Sequence, residues 1–127
     1  MKKVYRNEAD VKGSVKAILK EYGAWYFMPM TGGYGKSGVP DFCCVYKGYP
    51  VFIETKHGNK KPTPLQCLQM EKIYDSGSPV FVINEDNLNV LNDLFLTLSM
   101  GAIEVAMYNS IVNLKKYGMF KEEKDVG

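Results

Sequence analysis

The sequence predicts an α/β layer fold with a mixed central sheet, on three observations. Val11, Val15, Ile18, Leu19 and Tyr22 recur at helical spacing and form one apolar stripe. Two short runs rich in β-branched and aromatic residues, 39–46 and 50–56, flank Lys47-Gly48. A helix opening at Thr63-Pro64-Leu65-Gln66 leads into the apolar run PVFVIN at 79–84. The resulting order, α-β-β-β-α-β-α, calls for helices on a sheet.

Each element has a local reason. Asn7 can cap the first helix, predicted over 7–22, with Glu8 and Asp10 suiting its positive first turn and Gly23 stopping it. AWYFMPM at 24–30 reads as a strand, and TGGYGKSG at 31–38 as a glycine-rich loop. The runs 39–46 and 50–56 are paired strands, followed by the polar basic loop HGNKKP at 57–62. Thr63 as N-cap, Pro64 at N1 and Gln66 at N3 open a helix running to about Ser76. PVFVIN is a buried strand, and a helix from Asp86 or Asn87 extends to about Ser99. Residues 101–118 are amphipathic without a clear period.

The bulk properties narrow the classes. A chain of 127 residues with 46% hydrophobic content fits one domain with a real core. A net charge of +2 is too small to argue for nucleic acid by itself, so any basic surface must come from local placement. Three cysteines, two of them adjacent, argue against a disulfide framework and favour a reducing, cytoplasmic setting. The N-terminus lacks the apolar segment of a signal peptide, and no apolar run approaches a membrane span.

The chemistry concentrates in GVPDFCCVYKGYPVFIETK, residues 38–56. If Lys47-Gly48 is a two-residue turn, Tyr46 faces Tyr49 and Asp41 faces Glu54, with Lys56 on the same face as Glu54. A four-residue turn would pair Asp41 with Lys56 and keep the cluster. A three-residue turn would pair Asp41 with Thr55, and only a bulge would restore it. Apolar residues flank the cluster on both faces (Phe42, Cys43, Cys44, Val45, Val51, Phe52, Ile53), so the sheet is expected to be covered on both sides. Two carboxylates in such surroundings repel unless one takes a proton or a cation sits between them. A hard divalent ion suits oxygen ligands, and a nearby lysine can orient water or stabilise charge on a phosphate. Glu8 lies along the buried stripe of the first helix and can complete the site, whereas Asp10 falls off that face.

Pro40-Asp41, twelve residues, then Glu54-Thr55-Lys56 resembles the motif of the PD-(D/E)xK nuclease superfamily. More closely, Gly38-Val39-Pro40-Asp41, Phe52-Ile53-Glu54-Thr55-Lys56 and Pro62-Thr63-Pro64-Leu65-Gln66 resemble the VRR-NUC family over about residues 7–98. The resemblance implies a restriction-endonuclease-like three-layer fold, with a nuclease domain over 1–99. Residues 100–127 are then a C-terminal extension for packing or dimerisation. It implies a Mg²⁺- or Mn²⁺-dependent phosphodiesterase acting on DNA. Asp41, Glu54, Glu8 and the Thr55 carbonyl would be metal ligands, Lys56 the catalytic lysine and Gln66 a helix polar residue of the site. Stand-alone members of this size occur in phages as homodimers, some cutting branched DNA such as Holliday junctions. The family's usual Glu-Val-Lys or Glu-Leu-Lys reads Glu-Thr-Lys here, with the middle side chain expected to point away from the cluster.

Blander readings compete at several positions. Asp41, Glu54 and Lys56 could form a structural ion pair at a sheet edge. Gln66 has a sufficient role as the N3 residue of a capping box, and Glu8 as a first-turn glutamate. Gly35-Lys36-Ser37 looks like a phosphate-loop fragment, but the required earlier glycine is Met30 and a strand follows, so a nucleotide site is rejected. Lys36 and Tyr34 in that loop, with Lys60 and Lys61, are instead candidates for contacting DNA. His57 reads as an exposed loop histidine, and Cys43, Cys44 and Cys67 as core residues without zinc spacing. A catalytically silent DNA-binding module is the alternative from another class, and a restriction-type nuclease the alternative enzyme.

Overall fold

The computed structural model describes residues 3–30 and 37–121. The elements are α1 (Glu8–Tyr22), β1 (Trp25–Phe27), β2 (Phe42–Tyr46), β3 (Tyr49–Thr55), α2 (Pro64–Asp75), β4 (Val80–Ile83), α3 (Asn89–Ser99) and α4 (Ile103–Lys115). The four strands form one sheet in chain order, β1-β2-β3-β4. The first two pairings are antiparallel and β3 runs parallel to β4. That parallel pair requires a crossover, which α2 supplies. The result is the mixed sheet between helices of a restriction-endonuclease-like α/β fold.

Helices α1 and α2 begin where their capping chemistry dictates. The Asn7 side chain accepts from the Asp10 N–H at 3.0 Å, and Gly23, at φ 73°, closes α1 with bonds to the Leu19 and Lys20 carbonyls. Val11, Val15 and Leu19 are fully buried, each worth about 2 kcal/mol of transfer free energy. At α2, Thr63 and Gln66 form a reciprocal capping box with Pro64 behind it. Asn87 does not cap α3: it accepts from the Asn84 N–H at 2.7 Å and donates to the Val82 carbonyl at 3.0 Å. The chain therefore turns before the helix starts at Asn89, later than expected.

The β2–β3 turn is the two-residue form. Lys47 (φ 49°) and Gly48 (φ 85°) are both left-handed, as a tight hairpin turn matched to strand twist requires. Tyr46 pairs with Tyr49 and Phe42 with Ile53. The strand expected over 24–30 is shorter, only Trp25–Phe27.

Two cores cover the sheet. On one face Val15 and Leu19 of α1 and Leu91, Phe95 and Leu98 of α3 pack on Phe42, Ile53, Phe81 and Ile83. On the other, Met70 of α2 and Leu114 of α4 pack on Val80 and Val82, with Phe52 against them. Coverage thins at β1, where Trp25 and Phe27 are exposed.

The 101–118 region resolves as α4, and its pattern follows from what it touches. Ser110 Oγ accepts from the Val80 N–H at 2.9 Å and donates to the Val80 carbonyl at 2.6 Å. Asn113 accepts from the Val82 N–H at 2.7 Å and donates to its carbonyl at 2.9 Å. Two polar side chains thus satisfy the outer backbone of β4, in place of another strand.

Candidate active site

The hairpin ladder stops at Phe42–Ile53, and Asp41 sits in a bend just before it. Freed from the pleat, its carboxylate turns along the strand end. Asp41 Oδ2 accepts from the Thr55 backbone N–H at 2.9 Å and from the Thr55 hydroxyl. The Thr55 side chain was expected to point away from the cluster; instead it touches one of the cluster's carboxylates. Strand alternation does place Thr55 opposite Glu54, but the bend at Asp41 brings the carboxylate to it.

Glu54 and Lys56 share a face of β3, and Lys56 Nζ lies 3.5 Å from Glu54 Oε2. The Glu54 side chain is only 2% exposed, and among the described residues its Oε1 has no hydrogen-bond partner. Burial, with the Asp41 charge adding, pushes its carboxyl up from 4.5 to about 7 against the opposing pull of Lys56. A buried, unpartnered carboxylate oxygen beside a second carboxylate is a donor set suited to a hard divalent cation.

Helix α1 brings Glu8 toward the same end of the sheet, and with it Lys12, one turn on. Lys12 Nζ lies 3.1 Å from Glu8 Oε2 and 3.7 Å from Asp41 Oδ1. Burial disfavours the Lys12 charge, yet the Glu8, Asp41 and Glu54 carboxylates outweigh it and raise the ammonium above its ordinary value. Sequence reasoning passed over Lys12, although its spacing of four from Glu8 was a usable signal. Asp10 pairs with Arg6 at 3.2 Å instead. Among the described residues, no three His, Cys, Asp or Glu side chains converge tightly enough to hold an ion by themselves. Glu8 is drawn to Lys12, so an ion would rest on Asp41 and Glu54, with water and the Thr55 carbonyl completing its shell.

The remaining candidates separate. Gln66 Oε1 accepts from the Thr63 N–H at 2.9 Å, so the group is engaged in the helix cap. Lys60 and Lys61 are exposed on the loop after β3. Lys36 and Tyr34 lie outside the described residues. His57 is half-buried rather than an exposed loop residue: Nε2 is 3.0 Å from the Tyr5 carbonyl and 3.5 Å from Glu85. Its ring ties the loop to the segment preceding α1. Cys44 is buried, Cys43 and Cys67 are half-buried, and all three are free thiols.

A mixed sheet whose hairpin end joins Asp41, Glu54 and Lys56, with an acid of the first helix nearby, has the layout of a PD-(D/E)xK-type nuclease domain. The chain is similar to a solved structure described as a "VRR_NUC domain", with 27% identity and a TM-score of 0.57. The match covers 68% of this chain and 91% of that one. Neither a protein-family model nor a curated protein matches the chain. Fold and motifs alike resemble those of a VRR-NUC domain. Among the described residues, no helix is long and apolar enough to cross a membrane.

Proposed function

We propose that this domain is a Mg²⁺- or Mn²⁺-dependent DNA endonuclease that hydrolyses phosphodiester bonds, acting as a homodimer on branched DNA. The observation that carries the reading is Glu54 Oε1, buried and, among the described residues, without a hydrogen-bond partner beside Asp41. In a merely structural ion pair such an oxygen would be a net cost, because its desolvation lowers stability unless a ligand recovers it. Asp41 and Glu54, with the Thr55 carbonyl, hold the ion; when bound, it makes water a stronger nucleophile and offsets phosphate charge.

The chain's own groups do the rest. Thr55 fixes Asp41 through two hydrogen bonds to Oδ2 and leaves Oδ1 facing the site, toward Lys12. Lys56, held by Glu54, places an ammonium where it orients the attacking water or stabilises the charge developing on a phosphate oxygen. Lys60 and Lys61 on the adjoining loop, with Lys36 and Tyr34, hold the nucleic-acid backbone and a base face. A two-fold dimer supplies two such sites for symmetric cutting of a junction.

Cleavage of linear duplex, single strand, flap and four-way junction with Mg²⁺ or Mn²⁺ tests the proposal. Cutting that requires the ion, favours the junction, and disappears in Asp41→Ala and Lys56→Ala is the expected result. Binding to DNA without cutting in either metal would identify a silent binding module instead.

A further inference from the structure

Helix α1 delivers a cation into the carboxylate cluster. Lys12 Nζ bridges Glu8 Oε2 at 3.1 Å and Asp41 Oδ1 at 3.7 Å, and its side chain is 29% exposed. The two oxygens of Asp41 therefore have different partners. Oδ2 is taken by Thr55, and Oδ1 faces Lys12. The charged groups around this point come from every neighbouring element. Glu8 stands on α1, Asp41 precedes β2, and Glu54 is the penultimate residue of β3, with Lys56 just beyond the strand. Lys56 lies against Glu54 Oε2, so Lys12 is the cation that joins the helix acid to the hairpin acid.

We propose that Lys12 is a positioning residue: it serves as the cluster's own counter-cation, competes with the divalent ion for Asp41 Oδ1, and so sets the site's metal affinity. The inference rests on the metal-dependent reading above. An ammonium this close neutralises part of the field that attracts an ion and repels the ion directly. The flexible four-carbon stem and partial exposure give Lys12 a route outward when the ion enters. Without an ion it keeps Glu8 and Asp41 from repelling each other, so the empty site stays assembled.

The test is Mn²⁺ binding without DNA, by calorimetry and by the paramagnetic signal of free Mn²⁺. Wild type, Lys12→Met, Lys12→Arg and Asp41→Ala are compared, with circular dichroism to check folding and Lys12→Gln as a second neutral variant. Lys12→Met is expected to bind about tenfold tighter, a shift equivalent to about 1.4 kcal/mol. Lys12→Arg should stay near wild type because it keeps the charge, and Asp41→Ala should lose binding. In chelator, Lys12→Met should melt below wild type and gain more from added Mn²⁺. If wild type binds Mn²⁺ and both neutral variants bind no tighter, the competition is overturned while the metal site stands. If neither wild type nor the neutral variants bind Mn²⁺, the metal-dependent reading itself falls, and the competition with it.

Discussion

Thr55 donates to Asp41 twice, from its backbone N–H at 2.9 Å and from its hydroxyl, and both bonds end on Oδ2. Thr55 is fully buried, so Thr55→Val removes one hydrogen bond to a carboxylate with little change of shape. The backbone bond remains and keeps Asp41 roughly in place. The expected loss is about 2 kcal/mol of stability, read from the urea midpoint. Mn²⁺ affinity should weaken by about tenfold, as for other residues that orient a metal ligand. Thr55→Ser restores the hydroxyl and should recover both. An unchanged affinity in Thr55→Val would show that the N–H alone orients Asp41.

Glu54 makes the metal-free protein sensitive to pH. Its carboxyl is raised from 4.5 to about 7, first by burial and then by Asp41. Between those values the folded chain holds a proton that the unfolded chain has released. Stability therefore falls as pH rises through this window and levels off above it, by about 3 kcal/mol in all. Urea midpoints measured in chelator across the range should show this decline, and Glu54→Gln should flatten it. Ion binding near neutrality should release a proton, visible as a buffer-dependent binding enthalpy. A flat stability profile in wild type would mean that Glu54 stays ionised in the fold.

Gly38 holds the approach to Asp41. Its φ is +81°, and a Cβ there would come within 2.8 Å of the Leu65 carbonyl oxygen at the start of α2. Neither the backbone conformation nor the space suits alanine. Gly38→Ala should cost about 3 kcal/mol, measured by thermal or denaturant unfolding. Asp41 lies three residues on, so cleavage should also fall in the fraction that remains folded. A Gly38→Ala protein with wild-type stability would require the Gly38–Leu65 contact to relax freely.

The hairpin was legible because its turn carries its own conformational signature. Lys47-Gly48 sets the register, and the register sets which side chains share a face. The Asp41–Thr55 contact was not legible, since β2 begins only at Phe42, three residues later than the strand expected over 39–46, and period-two reasoning assumes that strands continue. Helix α2 was readable from Thr63, Pro64 and Gln66, but the same cap absorbs Gln66 Oε1, which the family resemblance implied for the site. Asn87 looked like a helix cap but serves the turn after β4, a role set by the Val82 carbonyl, distant from it in pattern though near in space. The amphipathic segment 101–118 gave no clear type because Ser110 and Asn113 occupy inward positions. Polar residues there look like errors in a helix until the strand backbone they satisfy is known.

That pairing of α4 with β4 gives the sheet a direction. Ser110 and Asn113 hydrogen-bond the backbone of Val80 and Val82, so no incoming strand can dock on that margin without expelling a helix. Among the described residues, the margin with no such seal is β1, a three-residue strand bearing exposed Trp25 and Phe27. Self-association by strand addition is thereby confined to one short side of the molecule. A truncation ending before Ile103 would expose a second, longer and wholly apolar seam, turning a chain with one adhesive side into one that can propagate from both.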